Sequence, residues 1–411
     1  MIAGGVKPER RMTTSVQLTI TDVVYRGLGI GRLDGCVVFV PGVLPAETVC
    51  VEITHRRKNF AEARLLDVLR PSPHRIAPVC PLAAVCPGCR YQHVEYEEEL
   101  RLKHAQLANL LARMAGVPDP VVLPPVASPE NLGYRNKIVL HGALQQGRAT
   151  LGYVAEDNVS IIDVPACPLA VPALNAKLRD LRSDARFMAE LKTPARVTLR
   201  HTPADGATWW IGPRQPAAAE LTETTALGPL RVPRGSFFQV NPPVADLLTG
   251  RVFQMLKAIR PQSVIDLYCG VGGFALAAGR AAVPRILGID SDAEAISAAG
   301  RNAATLGFDR IRFTAAPASR GLAKALEAAG SADGLTLIAD PPRAGLEKSV
   351  VRTILAGRPA DVIYISCAAD TLARDVKLLA EDGYGFANSQ PVDMFPRTPY
   401  FESVTHLRRY R

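Results

Sequence analysis

Apolar and polar positions follow three different patterns along the chain. Residues 13–70 contain short alternating stretches, such as 16–24, separated by glycine and proline–glycine turns, and they predict about five strands of a small β barrel. From about Gly235 onward, buried strands alternate with amphipathic helices, which indicates an α/β fold. The stretch between them predicts a mixed β domain. We therefore predict three domains, at 13–70, 71–235 and 236–411.

One long helix is predicted in the central domain, at 95–114. Leu100, Leu107, Leu111 and Met114 recur on one face at helical spacing. Because such a face has to be buried, we expect the third domain to serve as its packing partner.

Composition and charge narrow the classes of function. The 411 residues carry a formal net charge of +9, which favours a polyanionic partner such as nucleic acid. No apolar run approaches the roughly eighteen residues of a membrane span. The first residues also lack the apolar core of a secretory signal. We predict a cytoplasmic protein without a membrane partner.

The cysteines are spaced like ligands. Cys80, Cys86 and Cys89 lie within ten residues of a proline- and glycine-rich loop, and Cys167 lies in another loop fixed by prolines. Four thiolates suit an iron–sulfur cluster or a structural zinc ion. Zinc sites usually pair their cysteines as two CxxC units, so a triplet with one distant cysteine favours a [4Fe–4S] cluster.

A nucleotide-type site is predicted in the third domain. Residues 263–274 read as a strand, a glycine-rich turn and a helix start, and the next strand ends at Asp290. Glycines such as Gly270 and Gly273 let a backbone approach a ligand, and an acid can hold a ribose diol. Dinucleotide enzymes use the same logic, but this turn lacks their GxGxxG spacing.

Three later residues carry potential chemistry at strand boundaries. Asp340 and Cys367 end predicted buried strands, where open α/β sheets bind ligands. A lone cysteine is more often an inert buried thiol. Glu402 follows an aromatic and apolar run, and partial burial there raises the pKa of a carboxyl toward that of a useful base. The alternative for Glu402 is a surface glutamate.

The barrel also contains a basic cluster ending on an aromatic, at 55–60. In an oligonucleotide-binding barrel such a loop pairs phosphate contact with base stacking. A solvated hairpin tip is the alternative interpretation.

Several phrases resemble known families. GLGIGR at 27–32, VFVPG at 38–42 and PAETV at 45–49 resemble the RNA-binding TRAM domain, and DLYCGVGGF at 266–274 resembles motif I of S-adenosylmethionine (SAM) methyltransferases. Nearly the whole chain resembles the RNA 5-methyluridine (uracil-C5) methyltransferases. The further phrases that carry this resemblance are the cysteine triplet, FFQVN at 237–241, DPPRAGL at 340–346, SCxxxTLARD at 366–375 and DMFPRTxxxE at 393–402.

This resemblance implies an α/β fold with a C-terminal class I, Rossmann-like SAM methyltransferase domain, and it implies roles for named residues. Cys367 would be the nucleophile and Glu402 the base. The implied SAM-site residues are Gln239, Tyr268, Gly270, Gly273, Asp290 and Asp340. The implied cluster ligands are Cys80, Cys86, Cys89 and Cys167.

The TRAM domain and the cluster cysteines together point to the 23S ribosomal RNA branch of the family, since its tRNA branch typically lacks both. We therefore expect a monomeric enzyme that methylates C5 of a uridine in 23S rRNA, with SAM and a [4Fe–4S] cluster as cofactors. A tRNA uracil-C5 methyltransferase and a non-catalytic RNA-binding assembly factor are the alternatives. The chain departs from the family at Ala368 and Ala369, where Asn-Pro is usual, at Tyr400, where histidine is usual, and at Ala316 and Pro317, near the expected adenine side of SAM.

Overall fold

The computed structural model describes residues 15–145, 147–191, 194–212, 220–329 and 332–410. Within these ranges the chain forms twenty strands and nine helices. The first two residues of the predicted barrel and the last residue of the third domain lie outside them. No helix in the described ranges is both long and apolar enough to cross a membrane.

The first sheet curves into a barrel. Its strands are β1 (Ser15–Thr19), β2 (Asp22–Val24), β3 (Leu28–Leu33), β4 (Cys36–Pro41), β5 (Thr48–Arg56) and β6 (Phe60–Arg70). The strand order is β1-β5-β6-β4-β3-β2, and only Ile20 and Thr21 separate the two edge strands. At this turn the Thr21 N–H donates to the Ile30 oxygen at 2.8 Å, which extends the pairing of β2 with β3, and Gly31 of β3 lies close against Thr19 of β1. The predicted barrel is confirmed, although the stretch 16–24 forms two strands rather than one because the chain turns at Ile20.

The central part is built on a five-stranded antiparallel sheet of order β11-β10-β7-β8-β9. Its strands are β7 (Lys137–Gln145), β8 (Arg148–Val154), β9 (Ile161–Asp163), β10 (Ala195–Thr202) and β11 (Gly206–Ile211), and a separate hairpin consists of β12 (Glu220–Thr225) and β13 (Gly228–Pro233). The helices are α1 (Tyr96–Arg113), α2 (Pro172–Ser183) and α3 (Ala185–Glu190). Apolar residues of α2, such as Leu174 and Leu178, bury one face of the sheet.

The third part is a seven-stranded sheet between two layers of helices. Its strands are β14 (Ser263–Leu267), β15 (Arg285–Asp290), β16 (Arg312–Ala315), β17 (Leu335–Ala339), β18 (Asp361–Ser366), β19 (Tyr384–Val392) and β20 (Glu402–Arg409). Its helices are α4 (Pro242–Ile259), α5 (Gly273–Arg280), α6 (Ala293–Thr305), α7 (Ala318–Ala329), α8 (Lys348–Gly357) and α9 (Ala369–Glu381). In the order β16-β15-β14-β17-β18-β20-β19, the first five strands are parallel, β20 is antiparallel to β18, and β19 is antiparallel to β20. The α/β prediction is confirmed.

Packing and hydrogen bonds cross the predicted domain boundary at 235. Leu107 and Leu111 of α1 are fully buried in the same core as the β17, β18 and α9 side chains, so the long helix packs on the third part of the chain. The Arg231 N–H in β13 donates to Asn302 Oδ1 in α6 at 2.8 Å. We keep the three-domain division at 70 and 235 as a proposal.

Candidate active site

Cys367 and Glu402 come together where two neighbouring strands meet. Strands β18 and β20 are antiparallel, and their paired stretch ends with Ser366 opposite Ser403. One further step along this register brings Cys367 opposite Glu402. Opposite residues of antiparallel strands have Cα atoms about 4.5–5.5 Å apart. Cys367 is half-buried, and Glu402 is 3% exposed. The alternative of a surface glutamate is therefore wrong.

Burial shifts both groups toward their neutral forms. Glu402 Oε2 has no hydrogen-bond partner among the described residues. Burial, followed by the charge of Asp340, raises the pKa of Glu402 well above its ordinary value. Burial also raises the pKa of the Cys367 thiol to about 12, and the carboxylates of Glu402 and Asp340 add to this effect. Burial in the site thus disfavours the charged form of both groups.

Asp340 follows β17, at the carboxyl edge of the parallel strands. Leu267 of β14 lies opposite both Ala339 and Ile289, so Tyr268, Asp340 and Asp290 stand side by side at the next step. Burial and the carboxylate of Asp290 raise the pKa of Asp340 to about 7. Asp340 therefore lies between the reactive pair and the glycine-rich turn.

Arg343 is a site residue to which the sequence assigned no role. Its positive charge opposes the rise in the pKa of both Cys367 and Glu402. Its guanidinium lies over the ring of Tyr400, 5.0 Å from the centroid. The phrase DPPRAGL contains Arg343, but the phrase gives no indication that its side chain faces the nucleophile.

The glycine-rich turn is held by Asp290. One carboxylate oxygen of Asp290 accepts from the Gly270 N–H at 2.9 Å, and the other accepts from the Asp292 N–H at 2.9 Å. Tyr268 and Gly272 have φ angles of 67° and 95°, which bend the chain sharply before α5 begins at Gly273. Asp290 therefore supports the glycine-rich turn with one oxygen and the start of the loop after β15 with the other.

A pocket opens beside this turn. Of the six predicted SAM-site residues, five line it: Gln239, Tyr268, Gly270, Gly273 and Asp340. Asp290 is not among the lining residues. The aromatic and apolar walls, which sequence reasoning missed, include Phe237, Phe238, Leu227 and Leu230. The hairpin β12–β13 contributes Leu227 and Leu230, and the segment after it contributes the two phenylalanines; no local sequence signal indicates that these residues meet the glycine-rich turn.

The four predicted ligand cysteines line one cavity of about 230 Å³. Burial raises the pKa of Cys80, Cys86 and Cys89, and in each case the charge of Cys167 adds to the rise. In the described ranges, however, no three His, Cys, Asp or Glu side chains converge closely enough to hold one metal ion. The four thiols thus surround one cavity but do not converge on a single point.

The basic cluster of the barrel lies at the tip of the β5–β6 hairpin. Residues 54–59 are exposed, and the half-buried ring of Phe60 packs edge-on against Phe39, with centroids 5.8 Å apart. This position suits either predicted interpretation of the cluster.

Comparisons with known proteins agree with this geometry. The family model described as tRNA (uracil-5-)-methyltransferase matches residues 229–410, and the TRAM domain model matches residues 11–66. An uncharacterized RNA methyltransferase of Gloeobacter violaceus is 31% identical, and the alignment covers 96% of each chain. The chain belongs to the RNA uracil-C5 methyltransferase family. Another uncharacterized RNA methyltransferase, from Halalkalibacterium halodurans, is 28% identical over 95% of this chain and 96% of its own.

The fold of this methyltransferase is shared with a solved structure. The Pyrococcus abyssi tRNA (uracil-54, C5)-methyltransferase, in complex with S-adenosyl-L-homocysteine, superimposes with a TM-score of 0.70 at 24% identity. The match covers 95% of this chain and 100% of that one. The family uses SAM as methyl donor, so the enzyme is a SAM-dependent RNA methyltransferase with a TRAM domain, and the non-catalytic alternative is not supported.

Proposed function

We propose that this enzyme methylates C5 of a uridine in 23S ribosomal RNA, with Cys367 as nucleophile and Glu402 as base. The observation that carries the reaction is the meeting of thiol and carboxyl at the ends of β18 and β20. Covalent addition to a pyrimidine and removal of a proton from the adduct require these two kinds of group.

Cys367 begins the reaction by making C5 nucleophilic. Its thiolate forms an S–C6 bond, and the electron pair of the 5,6 double bond passes to C5 and O4 as an enolate. C5 then takes the methyl group, and the electron pair of the broken bond stays on the donor sulfur. Among the described groups that act on the thiol, the positive charge of Arg343 favours the thiolate.

Glu402 completes the reaction as base. It takes the proton from C5, the 5,6 double bond re-forms, and the S–C6 bond breaks to return Cys367 as thiolate. Its buried position keeps water away from the adduct and suits a carboxyl of raised pKa. The five predicted donor-site residues that line the pocket place the methyl group beside C5, with Asp290 supporting the glycine-rich turn behind them, and Asp340 orients the uracil edge or the amino group of the donor.

The cysteine cavity supports a [4Fe–4S] cluster as the bound group. Thiolates are the ligands such clusters use, and each thiolate binds a different iron. One buried and three half-buried cysteines around one cavity, without a single point of convergence, suit this arrangement better than one zinc ion. Cys80, Cys86, Cys89 and Cys167 would hold the cluster, which would join the two cysteine loops in a structural role.

The choice of 23S rRNA rests on the combination of the TRAM barrel with these cysteines. The target uridine has to leave its stack, at a cost of a few kcal/mol, and the barrel would offset this cost with backbone contacts. A tRNA substrate is the second candidate, because the descriptions of the matched family and of the Pyrococcus abyssi enzyme both name tRNA as the substrate. We also propose, from the sequence, that the enzyme is a monomer and acts in the cytoplasm.

The test is methyl transfer from labelled SAM to unmodified 23S rRNA and, separately, to unmodified tRNA, followed by nucleoside mass analysis. 5-Methyluridine in the 23S sample alone is the expected result, and Cys367→Ala should give none. Label in tRNA alone would overturn the assignment of 23S rRNA as substrate but would be consistent with the proposed mechanism. Label in neither RNA would contradict the proposal.

A further inference from the structure

The amino terminus of α9, directly after Cys367, lacks an ordinary cap. A helix leaves its first N–H groups without intrahelical partners, and a Ser, Thr, Asp or Asn side chain usually accepts from one of them. The N-cap of α9 is Ala368, whose methyl group cannot accept a hydrogen bond. The Ala369 N–H, in a buried residue, therefore needs an acceptor other than the N-cap side chain.

That acceptor comes from the barrel. Tyr25 lies in the turn between β2 and β3, and its hydroxyl accepts from the Ala369 N–H at 3.1 Å. The neighbouring Arg26 forms an ion pair with Asp370 at 2.8 Å. The first turn of α9 is thus held by two consecutive barrel residues.

Tyr25 also touches the segment that carries the base. Its ring packs edge-on against Phe401, with centroids 6.0 Å apart, and Phe401 immediately precedes Glu402. Burial is the main cause that raises the pKa of the Tyr25 hydroxyl to about 12, and Cys367 is near enough that its charge adds to the rise. One side chain therefore contacts the neighbours of both reactive residues.

Close docking of the barrel turn makes these contacts possible. Gly27 has a φ of 76°, and a side chain there would meet Tyr91 at 3.1 Å and Pro399 at 3.2 Å. Tyr25 itself packs against the core of the third part.

We propose that Tyr25 is a positioning residue, which caps α9 and holds Cys367 and Glu402 in register. This inference rests on the proposed function for its effect on catalysis, though not for the capping itself. It gives the barrel a role beyond contact with RNA.

A proline at 369 offers a sharp test. Proline has no N–H and is favoured at the first helical position, and the extended backbone of Ala368 (φ −140°, ψ 97°) suits a residue before proline. In Ala369→Pro the Tyr25 hydroxyl has no donor to accept from. Removal of the hydroxyl should therefore slow the reaction of the wild type but not that of the proline variant. A double-mutant cycle measures this difference.

The readout is the single-turnover rate at which Cys367 forms its covalent RNA adduct. Tyr25→Phe should slow this rate roughly five- to tenfold, as expected for loss of one capping bond, with unchanged RNA affinity. Adding Tyr25→Phe to Ala369→Pro should cause no further loss. Tyr384→Phe is the matched control, because its hydroxyl donates to the Pro359 oxygen at 2.8 Å at the opposite end of the sheet.

Hydrogen exchange at the Ala369 amide tests the cap without catalysis. Exchange should be faster in Tyr25→Phe than in the wild type. Equal exchange, equal adduct rates, or a loss that persists in the proline background would each overturn the inference. If wild type forms no Cys367 adduct while exchange responds to Tyr25→Phe, the proposed function fails and the cap stands.

Discussion

The guanidinium of Arg343 lies over the ring of Tyr400, 5.0 Å from its centroid. Cation–π contact at this distance holds an otherwise exposed arginine beside the two reactive groups. Tyr400 stands where the family usually has histidine, and its ring gives Arg343 a fixed place. The pair therefore opposes the anionic charge of Glu402 and Asp340 at the thiol.

Arg343→Met should slow alkylation of Cys367 by iodoacetamide. Loss of the positive charge raises the pKa of the thiol further, so less thiolate is present at any fixed pH, and each unit of pKa costs about tenfold in rate. In the wild type the rate should rise with pH from 7 to 9, since these values lie below the thiol pKa of about 12. Peptide mass analysis measures the modification.

Tyr400→Leu should act in the same direction with a smaller effect, and Tyr400→Phe should react like the wild type because it keeps the ring. Arg182→Met removes an arginine paired with Asp163, far from the site, and serves as control. Equal rates in Arg343→Met and Arg182→Met would refute the electrostatic role of Arg343.

Glu402→Gln should trap the enzyme on its RNA. Without the base the methylated C5 keeps its proton, so the S–C6 bond persists and turnover falls by about 10²–10⁴-fold. Denaturing electrophoresis with labelled SAM should show a methylated protein–RNA adduct. Cys367→Ala should show neither adduct nor product, while RNA affinity stays unchanged. Rapid release of product from Glu402→Gln would remove Glu402 from the role of base.

Asp340→Asn should change how stability depends on pH. The pKa of Asp340 is raised from 3.8 to about 7 in the folded protein, so the folded state binds this proton more tightly than the unfolded state does. Stability should consequently fall as pH rises from about 4 to about 7, and this part of the fall should disappear in Asp340→Asn. Urea midpoints at pH 5, 6, 7 and 8 measure it. The exposed Asp309→Asn is the control, and parallel curves for Asp340→Asn and wild type would contradict the raised pKa.

The cysteine cavity should take up about four irons per chain on anaerobic reconstitution with iron and sulfide. Cys167→Ser should lose the cluster and its visible absorbance, because one thiolate ligand is removed. Cys50→Ser in the barrel strand β5 should retain both. Stoichiometric binding of one zinc ion instead, with no iron–sulfur absorbance, would overturn the cluster assignment.

The sequence predicts those site residues that lie at the ends of strands. It does not predict the contacts between residues that are distant in sequence. Asp340 and Cys367 end apolar runs, and the carboxyl ends of parallel strands meet at one edge, so their proximity follows from the pattern. That Glu402 would lie opposite Cys367 required the antiparallel register of β20, which apolar periodicity does not specify. Tyr25 and Ala369 are 344 residues apart, and nothing in either local sequence indicates their hydrogen bond.

A buried ionic cluster fixes the segment before Glu402. Lys103 of α1 is 1% exposed, and its Nζ donates to Glu99 Oε1 at 2.7 Å and to Asp393 Oδ1 at 2.6 Å. The Arg397 N–H donates to the same Glu99 oxygen at 2.8 Å. Helix α1 therefore holds both ends of the stretch from Asp393 to Arg397, five residues before Glu402.

Lys103→Met should destabilise the protein by about 3–5 kcal/mol, because it leaves two buried carboxylates without their shared cation. Lys377→Met breaks an exposed pair with Glu381 at 4.0 Å and should cost less than about 1 kcal/mol. Urea unfolding measures both. Burial already raises the pKa of Glu99 to about 7, and Lys103 opposes that rise, so the deficit of Lys103→Met should shrink at pH 5, where the Glu99 carboxyl can take up a proton. A deficit that is no larger than that of Lys377→Met would show that the cluster does not hold this segment.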